Sequence, residues 1–182
     1  MELLAETIGG ANIRLVGDNR YRQILVRRHA SWPEVRRTVL WVGMNPSIAD
    51  KRIDDNTCRR EQQKSRILGF SKYFKGNVLD IMQTDPGLIP HELGAARTDN
   101  NLDCIREMAL KSDWVFLAYG SMPARFRPAI DETLAVLFAT GRPMACFGRN
   151  GDGSPKHTRA LANVEIPSQP QQLVDIRLEY EP

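Results

Sequence analysis

Two short segments hold residue types suited to ligand chemistry. The first, Gly43-Met44-Asn45-Pro46-Ser47, follows the continuous apolar run Val39-Leu40-Trp41-Val42. Gly43 lets a ligand or a neighbouring backbone approach closely, and Pro46 stiffens the turn that presents Asn45 and Ser47. An ordinary strand exit with a turn-forming Asn-Pro pair explains the same residues. The second segment is Gly148-Arg149-Asn150-Gly151-Asp152-Gly153-Ser154-Pro155-Lys156-His157. Its glycines, Gly153 among them, permit positive φ angles and exposed amides of the kind that make an anion nest. Lys156 and His157 add donors suited to a phosphate or a carbonyl oxygen. The spacing is neither that of a P-loop nor that of a dinucleotide fingerprint, and a plain surface loop is the competing reading.

Asp80 stands within the apolar stretch Val78-Leu79-Asp80-Ile81-Met82, where a carboxylate must be paired or must sit at a functional strand end. Tyr119 closes another apolar run and could stack on a planar ligand or simply pack there. Asp54 and Asp55 offer carboxylates for base or metal chemistry, against the plainer role of capping the next helix. Cys58, Cys104 and Cys146 are far apart, and His29, His91 and His157 are equally scattered. That spacing builds neither a zinc site nor a disulfide scaffold, so no metal and no cofactor are expected.

The elements that position these residues follow from periodicity. Ile13 and Leu15 precede Gly17-Asp18-Asn19, and Tyr21, Ile24 and Val26 follow it, which predicts a β-hairpin over 11–29. Strands are expected at 38–43, 77–82, 114–120 and 143–148. Helices are expected at about 57–68, at about 100–111, and around Ile130, Leu134, Leu137 and Phe138. The first helix has only Cys58, Ile67 and Leu68 as large apolar positions. It should lie mostly exposed or against a ligand, with Arg59, Arg60, Lys64 and Arg66 in solvent. Alternating strands and helices imply right-handed crossovers and a mainly parallel sheet of about four strands in a three-layer α/β/α domain. All strand carboxyl ends then share one edge, where Asn45, Asp80, Tyr119 and the glycine-rich loop collect.

The 182 residues suit a single domain, 1–182, with 42% hydrophobic and 26% charged residues. No apolar run approaches the roughly 18 residues of a membrane span. An acidic start without signal-peptide features points to a cytoplasmic protein. Net charge is +3, but Arg14 to Lys75 carries 15 Lys/Arg against 6 Asp/Glu. That excess suits a polyanionic partner, with Arg59 and Arg60 as phosphate contacts, although a solvated surface accounts for it more simply.

Taken together, these residues resemble the DUF1643 family of bacterial and phage proteins. The resemblance runs from Tyr21-Arg22, Leu25 and Arg27 through Met44-Asn45-Pro46-Ser47, Ala49-Asp50, Asp54-Asp55, Thr57, Arg59-Arg60 and Gly69. It continues through Thr84-Asp85-Pro86, Asn100, Ala118 with Gly120, and Gly148 to His157. The chain departs from the family pattern at Asp80, Tyr119, Thr158 and Glu61-Gln62-Gln63-Lys64. More distantly, Gly43-Met44-Asn45-Pro46 is similar to the Gly-Ile-Asn-Pro motif of mismatch-specific members of the uracil-DNA glycosylase superfamily. That similarity implies a glycosylase-like fold in which Asn45 positions the attacking water and His157 contacts the base and the DNA. The expectation is a protein that binds a nucleobase, nucleotide or nucleic acid at the carboxyl edge. If it is catalytic, the chemistry is N-glycosidic hydrolysis, with Lys156 and His157 stabilising the leaving base, Asp80 at the base edge and Tyr119 stacking beside it. The rivals are a non-catalytic nucleotide or DNA sensor and an enzyme acting on free nucleotides.

Overall fold

The computed structural model describes residues 12–28, 37–47, 54–161 and 170–176. Its strands are β1 (Asn12–Val16), β2 (Tyr21–Arg28), β3 (Thr38–Gly43), β4 (Lys72–Asn77), β5 (Trp114–Leu117), β6 (Met144–Cys146) and β7 (Val174–Asp175). The helices are α1 (Asn56–Ile67), α2 (Leu93–Ala96), α3 (Asn101–Leu110) and α4 (Arg127–Ala139). Among the described residues no helix is long and apolar enough to cross a membrane.

The expected hairpin forms: β1 and β2 pair antiparallel around Gly17, Asp18 and Asn19, all at positive φ. The sheet itself differs from expectation. Among the described residues it has seven strands in the order β1-β2-β4-β3-β5-β6-β7, and it is mixed rather than mainly parallel with four. Parallel pairing joins β4, β3, β5 and β6, whereas β1–β2, β2–β4 and β6–β7 run antiparallel. The hairpin does not stand apart, because β2 continues the sheet along β4. Val174–Asp175 adds a strand at the other edge.

The second expected strand is also displaced. Val78 and Leu79 are buried but lie beyond β4, their amides donating to the carbonyls of Gly43 and Met44 (both 2.9 Å). The strand proper is Lys72-Tyr73-Phe74-Lys75-Gly76-Asn77, whose polar residues disguise it in a hydropathy reading. Gly76 lets α3 pack closely there, since a Cβ would stand 2.9 Å from the terminal methyl of Met108 and make it shift.

Alternation assigns the two faces of the sheet. Val39, Trp41, Tyr73, Phe116 and Ala118 belong to the layer beneath α1, where Trp41 stacks on Phe147 at 5.2 Å and donates to Ser65 Oγ at 2.8 Å. Leu40, Val42, Phe74, Val115, Leu117 and Tyr119 belong to the core beneath α3 and α4. Asp55 caps α1 by accepting from the Cys58 amide (2.7 Å), and Asp54 binds Arg27 and Gln62. Both aspartates therefore have the helix-entry role that competed with a chemical one.

Candidate functional site

The face of α1 turned to the sheet is polar. Cys58, Glu61, Lys64 and Ser65 are buried, a stripe at helical spacing with hardly any large apolar side chain in it. Lys64 was expected in solvent. It is instead buried, with its ammonium 5.7 Å from the Phe147 ring centre. Burial, and then the neighbouring Arg60 charge, push its pKa down.

Glu61, fully buried, is the hub of this face. Its Oε1 accepts from Lys75 Nζ and from Thr158 Oγ1, both at 2.7 Å, and its Oε2 accepts from Tyr73 Oη at 2.5 Å. A buried carboxylate survives only when paired and hydrogen-bonded in this way. The cluster also binds together three parts of the chain: α1, β4 and the residue that follows His157. Burial raises the Tyr73 phenol well above its ordinary range, and burial beside Glu61 and Asp55 raises the Cys58 thiol to about 12. Both shifts favour the neutral forms, so the surroundings of Cys58 do not favour a thiolate.

One step along β4 toward its carboxyl end, Asn77 occupies the same face. Asn77 is 1% exposed, yet neither atom of its amide has a hydrogen-bond partner among the described residues. Gly43, its register partner on β3, makes room for the cluster. A Cβ on Gly43 would lie 2.6 Å from Lys75 Nζ and 2.9 Å from Asn77 Oδ1. The ammonium and the amide therefore fill the space that a side chain at residue 43 would need.

The glycine-rich loop is internally bonded. The Asn150 amide donates to the Ser154 carbonyl, the Gly153 amide to the Asn150 carbonyl, and the Lys156 amide to the Gly148 carbonyl. Asp152 accepts from both the amide and the hydroxyl of Ser154. Hydrogen bonds from Ser121 and Ser154 hold its carboxyl down to about 2. The nest expected for an external anion thus has the amides of Gly153 and Ser154 engaged within the loop. What the loop delivers is His157, whose Cβ lies 3.0 Å from the position of a Cβ on Gly120. The Arg159 amide donates to His157 Nδ1 at 3.1 Å, so the neutral ring carries its proton on Nε2. Burial and the Lys75 charge lower its pKa below 6.5 and favour that neutral form.

The remaining predicted residues divide between edge and faces. Asn45, Ser47, Lys156 and His157 are half-buried, and Pro46 is buried. Asn45 donates through Nδ2 to the carbonyls of Gln83 (2.6 Å) and Pro46 (3.1 Å), which tie its turn to the chain after β4 and leave Oδ1 as an acceptor. Asp80 faces the α3 side: its carboxylate accepts from the Thr98 amide at 2.9 Å and from the Thr98 hydroxyl. Burial, partly offset by those bonds, raises its pKa. Tyr119 packs in the same α3/α4 core. Gly43 and His157 are thus joined by Glu61, Lys75 and Asn77, while Asp80 and Tyr119 lie across the sheet. Arg59 is exposed and Arg60 half-buried on α1.

Sequence reasoning missed Glu61, Lys75, Asn77 and Thr158. The available signal was Glu61 as the lone acid of an otherwise basic helix, with Cys58 and Ser65 at helical spacing from it. A β-bulge gives a further departure from simple alternation. The β1–β2 register passes over Gln23, since Arg14 opposes Ile24 and Leu15 opposes Arg22. Gln23 consequently reaches Thr98 Oγ1 on the α3 side (2.7 Å), whereas the Arg22 charge acts on Cys58 on the α1 side.

No curated protein and no solved structure matches the chain, and nothing in these comparisons supports kinship with the uracil-DNA glycosylases. Residues 22–158 match the family described as a protein of unknown function, DUF1643, a span from β2 through the Glu61-bound Thr158. The chain belongs to the DUF1643 family.

Proposed function

We propose that the protein binds a nucleobase-containing ligand, whether free nucleotide or nucleic acid, at the carboxyl edge of the parallel strands. One observation carries this reading. Gly43, Lys75, Asn77 and His157 gather on a single face around the buried Glu61 carboxylate, at the edge where α/β sheets take their ligands. The group combines donors and an acceptor packed against the bare backbone of Gly43, which suits a planar polar ring better than an apolar one. Arg59 and Arg60 on α1 supply the outer positive charge for phosphates. N-glycosidic hydrolysis is the catalytic extension, with Asn45 Oδ1 orienting a water and the His157 Nε2 proton facing charge on the departing base.

Binding of single- and double-stranded oligonucleotides and of nucleoside monophosphates, measured at two salt concentrations, tests the reading. Oligonucleotide affinity should fall steeply with salt, and Arg59→Glu with Arg60→Glu should weaken it without changing the melting temperature. The same oligonucleotides, carrying uracil, hypoxanthine or an alkylated base, report any base release. Absence of binding to every oligonucleotide and nucleotide at low salt would refute the proposal.

A further inference from the structure

We propose that Asn77 and Lys75 form the reader of the site, and that the group they take is an uncharged, amide-like edge of a planar ring, not a phosphate. This rests on the nucleobase reading above and specifies which end of the ligand enters. Asn77 contributes both a donor and an acceptor, and both are buried without a partner among the described residues. An amide pairs at two points with a group that presents a donor beside an acceptor, the arrangement on a base edge. A fully ionised phosphate ester has acceptors only and would leave Asn77 Oδ1 facing another oxygen.

Charge favours the same choice. The Lys75 ammonium is already matched by Glu61 at 2.7 Å, with 4% and 0% side-chain exposure. Arg22, on the same face, is itself engaged. A phosphate would place one or two further negative charges beside a buried carboxylate, where repulsion is screened far less than at the surface. A neutral carbonyl can accept a hydrogen bond from the ammonium at no such cost. Gly43 supports the reader sterically, since any side chain there would displace both polar ends.

Titration calorimetry and ligand-observed NMR with free uracil, hypoxanthine and adenine, set against ribose 5-phosphate and inorganic phosphate, test the inference. At least one free base should bind wild-type protein, and Asn77→Leu should weaken it tenfold or more while the variant melts cooperatively. Lys75→Met with Glu61→Met, which removes the pair together, should likewise weaken base binding, and neither phosphate probe should compete. Preferential binding of ribose 5-phosphate or phosphate would overturn the inference, as would base affinity indifferent to Asn77→Leu. Nucleotides that bind while no free base does would overturn it and leave the broader nucleobase reading standing. Failure of all nucleotides and oligonucleotides would remove both.

Discussion

Replacing Asn77 with leucine should make this protein more stable. The two side chains are close in volume, so the substitution changes polarity more than packing. A buried polar group without a hydrogen bond costs about 1–3 kcal/mol relative to its solvated state in the unfolded chain. The Asn77 amide is buried, and no described residue bonds either of its polar atoms. Leucine removes that penalty and adds apolar burial next to Gly43, while some strain against Lys75 Nζ offsets part of the gain. A net stabilisation of about 1–2 kcal/mol is expected, which for a chain of this size raises the melting temperature by roughly 2–8 °C. Calorimetry and urea unfolding of wild type and variant, compared at equal m-value, measure it. Residues held for binding at the expense of stability behave in this way. A loss of 1 kcal/mol or more would refute the reasoning, because the amide would then belong to the folded scaffold, bonded through a fixed water.

Glu61→Met and Lys75→Met should each destabilise by about 3–5 kcal/mol, since each strands a buried partner, whereas the double variant should cost less than their sum, with the Tyr73 and Thr158 hydroxyls still left without an acceptor; a double-mutant cycle in urea gives the coupling. His157 should titrate below 6.5 by NMR. Because its folded pKa is lowered, the unfolded chain binds the proton more readily, so the His157 contribution is present above pH 6.5 and is lost as pH falls through the folded value. His157→Gln should flatten that part of the stability profile. Asn45→Ala should cost about 1–3 kcal/mol, because its Nδ2 bonds hold the turn after β3 to the Gln83 and Pro46 carbonyls; a thermal melt that stays at the wild-type value would show those bonds to be dispensable.

The elements most legible in the sequence were those whose neighbours are apolar. Thr38 to Gly43 is buried throughout, so its apolar run announced a strand covered on both faces. Gly17-Asp18-Asn19 announced the hairpin because consecutive left-handed residues need such types. β4 was illegible for the opposite reason. Lys75 and Asn77 look like surface residues, and only a carboxylate on α1 makes the buried ammonium tolerable. That partner lies 14 residues upstream, on an element whose own periodicity reads as polar on every side. The sheet edges were hidden likewise: nothing local in Val174–Asp175 identifies it as a partner for β6.

The candidate site follows the same division. Gly43 and His157 could be picked out because glycine at a strand end and histidine in a glycine-rich loop are unusual locally. Asp80 was equally unusual, but its explanation is structural: it fastens the segment after β4 to Thr98 ahead of α3. A charged residue in an apolar stretch is therefore ambiguous until its partners are known. Asp80 has its hydrogen bonds from Thr98, and Glu61 has its own from three directions. The Asn77 side-chain amide has none among the described residues. Of Asp80, Glu61 and Asn77, the one whose side chain no described residue bonds is the one with capacity for a ligand. That capacity stands beside Gly43, where a Cβ would lie 2.9 Å from Asn77 Oδ1 and displace it.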